Sequence, residues 1–310
     1  INSVLQTSKN DTVITTLPLS YSYGLSVLNT HLIAGATIVI NDKSVTEKEF
    51  WDKVKDYCVT TFNGVPFQYE ILSKFSKEKF SETYLRKMTQ AGGKLNEIFV
   101  KKIAEVCKIN DIDLFIMYGQ TEATARMSIL EPEFVLSKPG SIGRPIPMGE
   151  FAILDDENVE ITEPFKTGNL FYKGPNVSIG YAESQRDLHT ASKLNYSLNT
   201  GDLAYFDSDG FYYIAGRKKR IVKVHGVRMN LDDLESECIK AGMVCVLIQK
   251  NETLFCIAET ERDRDQFYEF MTSRLRISKH AIKFQVISEI PRNSNGKINY
   301  AAIQKAIEDE

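Results

Sequence analysis

No apolar run in this sequence approaches the ~18 residues that a membrane-spanning helix needs, and residues 1–6 lack the basic start and apolar centre of a signal peptide. Excess charge is also scarce, since 38 basic residues against 41 acidic ones leave a net charge of −3. The five cysteines are odd in number and include no Cys-x-x-Cys pair, which argues against a disulfide framework and a zinc site. We therefore expect a soluble, cytoplasmic protein with reduced thiols, no membrane span and no nucleic-acid partner.

The chain does contain enough apolar material for more than one domain. Its 310 residues and 43% apolar content suit one large domain and a smaller one. Up to Met117, short apolar runs alternate with helix-like segments, a pattern typical of α/β layers around a largely parallel sheet. The helical signal later fades and returns only after Arg217. We predict an α/β fold with a large domain at 1–216, divided into an α/β part at 1–148 and a β-rich subdomain at 149–216, and a small α+β domain at 217–310.

The stretch YGQTEAT at 118–124 directly follows the apolar run Leu114–Met117. That run predicts a buried strand, and ligands in open α/β sheets bind beyond the carboxyl ends of strands. Tyr118 could then stack on a base, Thr121 could hydrogen-bond a phosphate oxygen, and Glu122 could bind Mg²⁺ through its carboxylate. Taken alone, the motif is more often a plain junction between a strand and a loop.

Further motifs follow downstream in a fixed order: GSIGRPIP at 140–147, TGDL at 200–203, GFYYIAGR at 210–217, KKRIVK at 218–223, GVR at 226–228 and PRNSNGK at 291–297. Together with YGQTEAT, this series resembles the adenylate-forming superfamily, which includes acyl-CoA synthetases, luciferases and the adenylation domains of peptide synthetases. The resemblance implies a large AMP-binding domain followed by a small mobile one. It also implies ATP-dependent activation of a small carboxylic acid to an acyl-AMP, with transfer to a thiol of coenzyme A or of a carrier protein's phosphopantetheine.

The resemblance implies roles for three residues of the C-terminal part. Lys297 follows an Asn-Gly turn that can place a lysine at a loop tip, and it resembles the lysine that bridges carboxylate and phosphate during adenylation. Lys219 matches the hinge about which the small domain rotates between the two half-reactions. Gly226 fits the glycine that lines the thiol tunnel. By spacing alone, Lys297 and Lys219 are equally typical of solvated lysines.

The resemblance also implies a nucleotide site. Asp202 would accept both ribose hydroxyls, Arg217 would reach the same ribose, and Arg228 matches a position near the phosphate. The glycines after the predicted strand 88–91 would let the backbone pass close to a flat base. Ile214 lines the adenine pocket or belongs to the core, and Arg228 is alternatively a surface arginine. The full set expected to bind nucleotide is Gly92, Gly93, Lys94, Tyr118, Gly119, Gln120, Thr121, Asp202, Ile214, Arg217 and Arg228, with Glu122 as the metal ligand.

The acyl pocket is expected at Tyr21, Asn63 and Gly64. Tyr21 lies in a segment that resembles the one whose aromatic or histidine residue borders the substrate carboxylate. Peptide-synthetase domains place an aspartate in that segment to pair with the substrate's α-ammonium group. No acidic residue occurs between Leu17 and Asn41, which favours a plain carboxylic acid over an α-amino acid, although another carboxylate of the fold could serve.

The superfamily's phosphate loop, a Ser/Thr/Gly-rich run ending in Pro-Lys-Gly, is missing from residues 1–16, where the resemblance would place its end. The sequence also lacks an initiating Met. We therefore expect the downstream portion of a longer ligase, inactive or impaired by itself because it would hold pyrophosphate poorly. The alternatives are a truncated AMP-binding or partner-binding module without turnover, adenylation without a thiol step, and an amino-acid adenylation domain.

Overall fold

The structure is a computed structural model, and it describes residues 1–76, 78–189, 196–224, 227–275 and 278–308. Its helices are α1 (Asn2–Leu5), α2 (Ser22–Ala34), α3 (Lys48–Asp56), α4 (Pro66–Leu72), α5 (Glu78–Ser81), α6 (Glu97–Ile109), α7 (Leu231–Lys240), α8 (Arg264–Leu275) and α9 (Tyr300–Glu308). Its strands are β1 (Thr12–Ile14), β2 (Thr37–Val39), β3 (Thr61–Gly64), β4 (Lys87–Gln90), β5 (Asp113–Tyr118), β6 (Ser128–Leu130), β7 (Ser141–Pro145), β8 (Glu150–Leu154), β9 (Gly168–Lys173), β10 (Ser197–Phe206), β11 (Tyr212–Arg217), β12 (Ile221–Val224), β13 (Val227–Asn230), β14 (Val246–Lys250), β15 (Thr253–Ala258) and β16 (Ile282–Val286).

An eleven-stranded sheet dominates the fold, in the order β2-β1-β3-β4-β5-β6-β7-β11-β10-β9-β8. Its first five strands pair in parallel, and the pairing becomes antiparallel between β5 and β6. Parallel neighbours need a crossover, and α2, α3, α4 with α5, and α6 lie in sequence between the successive parallel strands. The α/β class and the largely parallel first part are thus confirmed.

Strand β5 is buried on both faces, because successive side chains of a strand point to opposite sides. Leu114 and Ile116 belong to a core that includes residues of α3 and α6. Phe115 and Met117 belong to a second core with Tyr23 of α2. Helices on both faces therefore fix β5 in place, and its carboxyl end carries the YGQTEAT stretch.

Strands β8 to β11 continue this large sheet, since β11 pairs with β7. The Phe151 ring packs against the rings of Tyr172 and Tyr212, with centroids 5.5 and 4.9 Å apart. The same core includes Met127, which comes from the loop after β5. The β-rich character of this stretch agrees with the sequence, whereas its continuity with the large sheet is a feature that the sequence pattern does not reveal.

The chain divides into two compact units, Ile1–Thr200 with Ala204–Ile214, and Gly201–Leu203 with Ala215–Glu310. In the second unit, β12 and β13 form an antiparallel pair, and β14, β15 and β16 form a three-stranded sheet with a parallel β15–β16 pair. Alternate residues of β15 pack with α7 and α8 on one side and with α9 on the other. This is an α+β unit with helices on both faces of a small sheet.

All five cysteines carry free thiols, and four of them are buried. Burial raises the pKa of the Cys107 thiol to about 12, so this thiol stays protonated at neutral pH. Within the described ranges, no helix is long and apolar enough to cross a membrane.

Candidate functional site

The turn that follows β5 is closed by its own backbone. A Cβ on Gly119 would lie 2.1 Å from the Ala125 carbonyl oxygen, so no larger residue fits there without a shift of the main chain. The Gln120 carbonyl accepts hydrogen bonds from the Ala123 and Ala125 amides, both at 3.0 Å. Residues Thr121–Ala123 form a single turn of 3₁₀ helix. The YGQTEAT stretch is therefore a tight, internally bonded loop at the carboxyl end of a buried strand.

Side chains of this turn are positioned by contacts with other segments. The half-buried Tyr118 ring meets the edge of the Phe151 ring, with centroids 6.2 Å apart. Gln120 Nε2 donates to the Thr200 carbonyl at 2.8 Å. Thr121 Oγ1 lies 3.0 Å from the hydroxyl of the first residue of α2. The turn thus presents an aromatic ring, an amide and a hydroxyl, which are groups suited to a base and to phosphate oxygens.

Glu122 lies in the same turn and is half-buried. Its carboxylate accepts a hydrogen bond from the Tyr181 hydroxyl, and this bond raises the pKa of Tyr181. Among the residues described, no group of three or more His, Cys, Asp or Glu side chains could hold a metal ion. Mg²⁺ is often bound by one or two carboxylates together with water and substrate phosphates. Glu122 therefore fits a magnesium ion that arrives with a nucleotide and does not fit a closed, all-protein metal centre.

A second turn, after β4, brings several of the predicted residues together. Gly92 has a φ of +87°, and a Cβ there would lie 2.6 Å from the Tyr21 hydroxyl oxygen. Glycine therefore allows both the backbone conformation and the close approach of Tyr21. The Gly93 carbonyl accepts a hydrogen bond at 2.9 Å from the side chain that ends β4. Lys94 Nζ donates to the Ile214 carbonyl at 3.3 Å, so these two predicted residues are also neighbours.

The expected acyl-pocket residues lie at the carboxyl end of β3 and just before α2. Burial raises the pKa of the Tyr21 phenol. Asn63 is 2% exposed, its Oδ1 accepts from Thr89 Oγ1 at 2.6 Å, and its carbonyl accepts from the Thr16 hydroxyl. A Cβ on Gly64 would lie 2.9 Å from an aromatic ring of α4. A narrow cleft beside Asn63 is lined further by Val13, Thr16, Leu17, Gly24 and Val27.

Arg126 is a buried charge at this end of the sheet that no sequence motif predicts. It is 1% exposed, and its guanidinium carbon lies 5.7 Å from the centre of the Tyr23 ring. The Tyr23 hydroxyl lies 2.6 Å from Thr89 Oγ1, which in turn donates to Asn63. The signal available in the sequence was an arginine inside the otherwise largely apolar run 125–130.

In the second unit, Asp202 and Arg217 form an ion pair. Asp202 is 3% exposed, and Arg217 Nε donates to Asp202 Oδ1 at 3.1 Å. The preceding residue, Gly216, leaves room for Asn230, whose Nδ2 would otherwise meet a Cβ at 1.9 Å. Asn230 Nδ2 donates to the Ala215 carbonyl at 2.8 Å. The end of β11 is therefore attached to β13, and Arg217 is held beside a buried carboxylate.

Lys297 lies at the end of a tight turn, and its side chain is exposed. The Gly296 amide donates to the Asn293 carbonyl, and the Asn293 amide donates to the Lys297 carbonyl, both at 2.8 Å. Lys219 is exposed in a 3₁₀ turn between β11 and β12. Arg228 lies on β13 opposite Lys223, but its side chain is outside the described part of the chain. Gly226 also lies outside the described residues.

Comparison with known proteins places this chain in one family. The AMP-binding enzyme family matches residues 1–182. The 4-hydroxybutyrate–CoA ligase 1 of Metallosphaera sedula is 26% identical over 299 residues, which cover 90% of this chain and 52% of the relative. The 2-succinylbenzoate–CoA ligase of Bacillus licheniformis is 27% identical over 302 residues, which cover 94% of this chain and 60% of the relative. The chain thus spans 52 to 60% of the length of these curated relatives.

Solved structures agree with this assignment. The O-succinylbenzoate coenzyme A synthetase of Bacillus subtilis in complex with AMP matches with a TM-score of 0.74 and 25% identity, covering 96% of this chain and 61% of that chain. The same synthetase in complex with ATP and a magnesium ion shares the fold, with a TM-score of 0.73 at 24% identity over 96% of this chain and 62% of that chain. Since the family match extends over more than half of the residues and the adenylate-forming resemblance is confirmed, the chain belongs to the AMP-binding enzyme family.

Proposed function

We propose that this chain is part of a ligase that uses ATP to convert a small carboxylic acid into an acyl-AMP and then transfers the acyl group to a thiol. The observation that supports this most directly is the closed Tyr118–Glu122 turn, which presents a ring, a hydroxyl and a carboxylate at the carboxyl end of β5. The two curated relatives, both CoA ligases, favour coenzyme A as the acceptor. The phosphopantetheine of a carrier protein is the alternative acceptor.

In this proposal, adenine is bound by the Gly92–Lys94 turn and by the Tyr118 ring. Two successive glycines, Gly92 and Gly93, keep side chains away from this turn, and the aromatic ring supplies a stacking surface. The ribose hydroxyls donate to Asp202, whose carboxylate is oriented by the 3.1 Å hydrogen bond from Arg217. An ionised acceptor makes these bonds stronger than neutral ones. Selectivity for a ribonucleotide would follow from this pair.

The activation step needs groups that stabilise charge at the phosphates. A carboxylate oxygen of the acid attacks the α-phosphorus, and the bond to the bridging oxygen of pyrophosphate breaks. Glu122 would hold Mg²⁺, which when bound neutralises part of the negative charge on the phosphates. Thr121 donates its hydroxyl to a phosphate oxygen. Lys297 contacts the acid and the α-phosphate together, which brings two anions into reach of each other.

Thiol transfer is assigned to a second arrangement of the C-terminal unit. We propose Lys219 as the hinge, because it is exposed and follows the segment that Asn230 attaches to β13. A hinge needs only a few residues whose backbone angles can change. Gly226 is proposed to line the path of the thiol. The substitution Gly226→Trp should slow thioester formation while leaving acyl-AMP formation intact, and unchanged overall turnover with coenzyme A would contradict this assignment.

The role of Lys297 can be tested by separating the two half-reactions. We expect Lys297→Ala to abolish acyl-AMP formation while thioester formation from preformed acyl-AMP stays largely intact, because the lysine contacts the phosphate only in the first step. Lys305→Ala, which removes an exposed lysine from α9, is the matched control and should retain both reactions. The measurement uses the chain together with any coding sequence that precedes it. Equal loss of both half-reactions in Lys297→Ala would contradict the assignment.

A second candidate function is a nucleotide-binding or partner-binding module without turnover. The observation that favours it is the similarity to a synthetase solved in complex with AMP, with a TM-score of 0.74 and 25% identity. Such a module would bind AMP through Tyr118 and Asp202 and would not exchange pyrophosphate in any acid's presence. AMP binding without turnover would favour this function over the ligase.

A further inference from the structure

Arg126 carries a buried charge that lacks a hydrogen bond. It is 1% exposed, and within the described ranges none of its Nε, Nη1 and Nη2 atoms has a hydrogen-bond partner. The Tyr23 ring, 5.7 Å from the guanidinium carbon, provides the modest attraction of a cation–π contact. Arginine remains protonated in proteins, and a buried charge is costly unless it is paired. This guanidinium therefore has the properties of a binding site for an anion.

The charges of Asp11 and Arg126 both act on the imidazole of His31. Burial lowers the pKa of His31 on α2; the charge of Arg126 acts in the same direction, whereas Asp11 opposes it. Asp11 is itself engaged by Arg86 Nη2 and Lys87 Nζ, each at 3.8 Å. Its negative charge is thus shared by two other cations, and the charge of Arg126 is left without a carboxylate partner in the part of the chain that is described.

A second buried donor lies on the same network. Asn63 Nδ2 also has no acceptor among the described residues. Asn63 Oδ1 accepts from Thr89 Oγ1, which lies 2.6 Å from the Tyr23 hydroxyl, and the Tyr23 ring faces Arg126. The Tyr23 ring also contacts the Tyr21 ring edge-on, with centroids 6.3 Å apart. Arg126 is therefore linked through Tyr23 to Tyr21, and through Tyr23 and Thr89 to Asn63, the residues expected to border the acyl group.

We propose that Arg126 binds a carboxylate at the far end of the acyl substrate, so that the enzyme selects acids that carry a second carboxylate in addition to the one that is activated. This inference rests on the proposed function, since it concerns the acyl group of the same site. The guanidinium offers a planar fork of donors that matches a carboxylate, and Asn63 Nδ2 is a second buried donor without an acceptor among the described residues. An acid without a second anionic group would leave these donors unpaired, which penalises its binding.

Binding of acyl-sulfamoyl adenosines tests this without ATP or a phosphate loop. Matched pairs would be glutaryl with pentanoyl, adipoyl with hexanoyl, and 2-carboxybenzoyl with benzoyl, each titrated by calorimetry into the chain together with any coding sequence that precedes it. We expect at least one dicarboxylic member to bind about 10-fold or more tightly than its partner. Arg126→Met should remove that preference and leave the monocarboxylic member within about 3-fold. Arg262→Met, which removes an exposed arginine of the second unit, is the charge-matched control.

Arg126→Lys keeps the charge but loses the fork, so it should retain an intermediate preference. This variant and the wild type decide the matter if Arg126→Met fails to fold, as judged by circular dichroism. Equal or stronger binding of the monocarboxylic member in every pair, or an unchanged preference in the folded Arg126→Met variant, would overturn the inference while leaving the proposed function intact. Failure of AMP and of every probe to bind would overturn the proposed function, and the inference with it.

Discussion

Replacing Arg220 with methionine should strongly destabilise the C-terminal unit. The Arg220 side chain is 13% exposed and makes three hydrogen bonds: Nε to Asp232 at 2.8 Å, Nη2 to Glu235 at 2.5 Å and Nη1 to the Leu247 carbonyl at 2.9 Å. Its guanidinium also lies 4.6 Å from the centre of the Tyr300 ring. Arg220 follows the proposed hinge, and Tyr300 follows the Lys297 turn. The network therefore joins the segment after the hinge to the segment after Lys297 within the same unit.

The expected loss of unfolding free energy for Arg220→Met is about 3–5 kcal/mol, since the change leaves a buried carboxylate without its partner. Glu235 is the carboxylate concerned, because its side chain is 14% exposed. Replacing both members, as Arg220→Met with Glu235→Leu, should recover most of this loss, because well-packed apolar residues often substitute for a buried ion pair. Lys223→Met, an exposed lysine on β12, is the control and should change stability by no more than about 0.5 kcal/mol.

The pKa of Glu235 gives this prediction a pH dependence. Burial raises that pKa to about 6 from 4.5, and the charge of Arg220 opposes the rise. Because this carboxyl group holds its proton more tightly in the folded protein, it contributes to the free energy of unfolding at pH values below the pKa of the unfolded chain. That contribution, about 2 kcal/mol, is lost as the pH rises through the pKa of the folded protein. Without Arg220 the pKa of Glu235 should rise further. The penalty of Arg220→Met should therefore be greater at pH 7 than at pH 5, by about 1 kcal/mol.

Urea denaturation followed by hydrogen exchange in peptides from 231–258 would measure this locally, because a chain of two units need not unfold in a single transition. A loss below about 1 kcal/mol for Arg220→Met would refute the reasoning, as would a double variant no more stable than the single one. A penalty that shrinks as pH rises would contradict the direction assigned to Glu235.

Three further changes test the site and its support. Gly119→Ala should lower stability by about 1–3 kcal/mol and weaken AMP binding in calorimetry, because the new Cβ would meet the Ala125 carbonyl at 2.1 Å and neither backbone can move cheaply; unchanged thermal stability would contradict this. Asp202→Asn should weaken AMP binding about 10-fold or more while changing 2′,3′-dideoxy-AMP binding little, because the lost bonds go to the ribose hydroxyls; equal losses for both nucleotides would remove Asp202 from the ribose. Phe211→Ala, at 1% exposure, should cost about 3–5 kcal/mol in urea denaturation of the first unit.

Regular elements could be predicted where apolar residues recur with one clear period. The run Leu114–Met117 predicts the strand that the structure extends to Asp113–Tyr118, and the pattern from Asn96 to Cys107 predicts the helix found at Glu97–Ile109. The spacing of apolar residues and the capping residue predict such elements. For this helix the cap is Asn96, whose side-chain oxygen accepts a hydrogen bond from the Ile98 amide at 3.0 Å. Pairing of β11 with β7 joins segments about seventy residues apart, so no local pattern reports it.

In the candidate site, too, some features are predicted by the sequence and others appear only in the structure. Motif resemblance predicts Asp202 and Arg217 as ribose contacts, and the structure adds that these two side chains are paired. The contact between Tyr21 and Gly92 depends on how β4 and α2 pack, which their separate sequences do not contain. The sequence does not predict the burial of Arg126, because arginine is usually found at the surface. Only the packed structure shows that its neighbours bury it.

Carboxylate-dependent exchange of pyrophosphate into ATP is the most direct test of the ligase assignment. The assay would use the chain together with any coding sequence that precedes it, with fatty, aryl, hydroxy, dicarboxylic and amino acids tried in turn. We predict that exchange appears with one class of carboxylic acid and disappears in the Lys297→Ala variant. Measurable AMP binding with no exchange for any acid would contradict the ligase and favour a nucleotide-binding module.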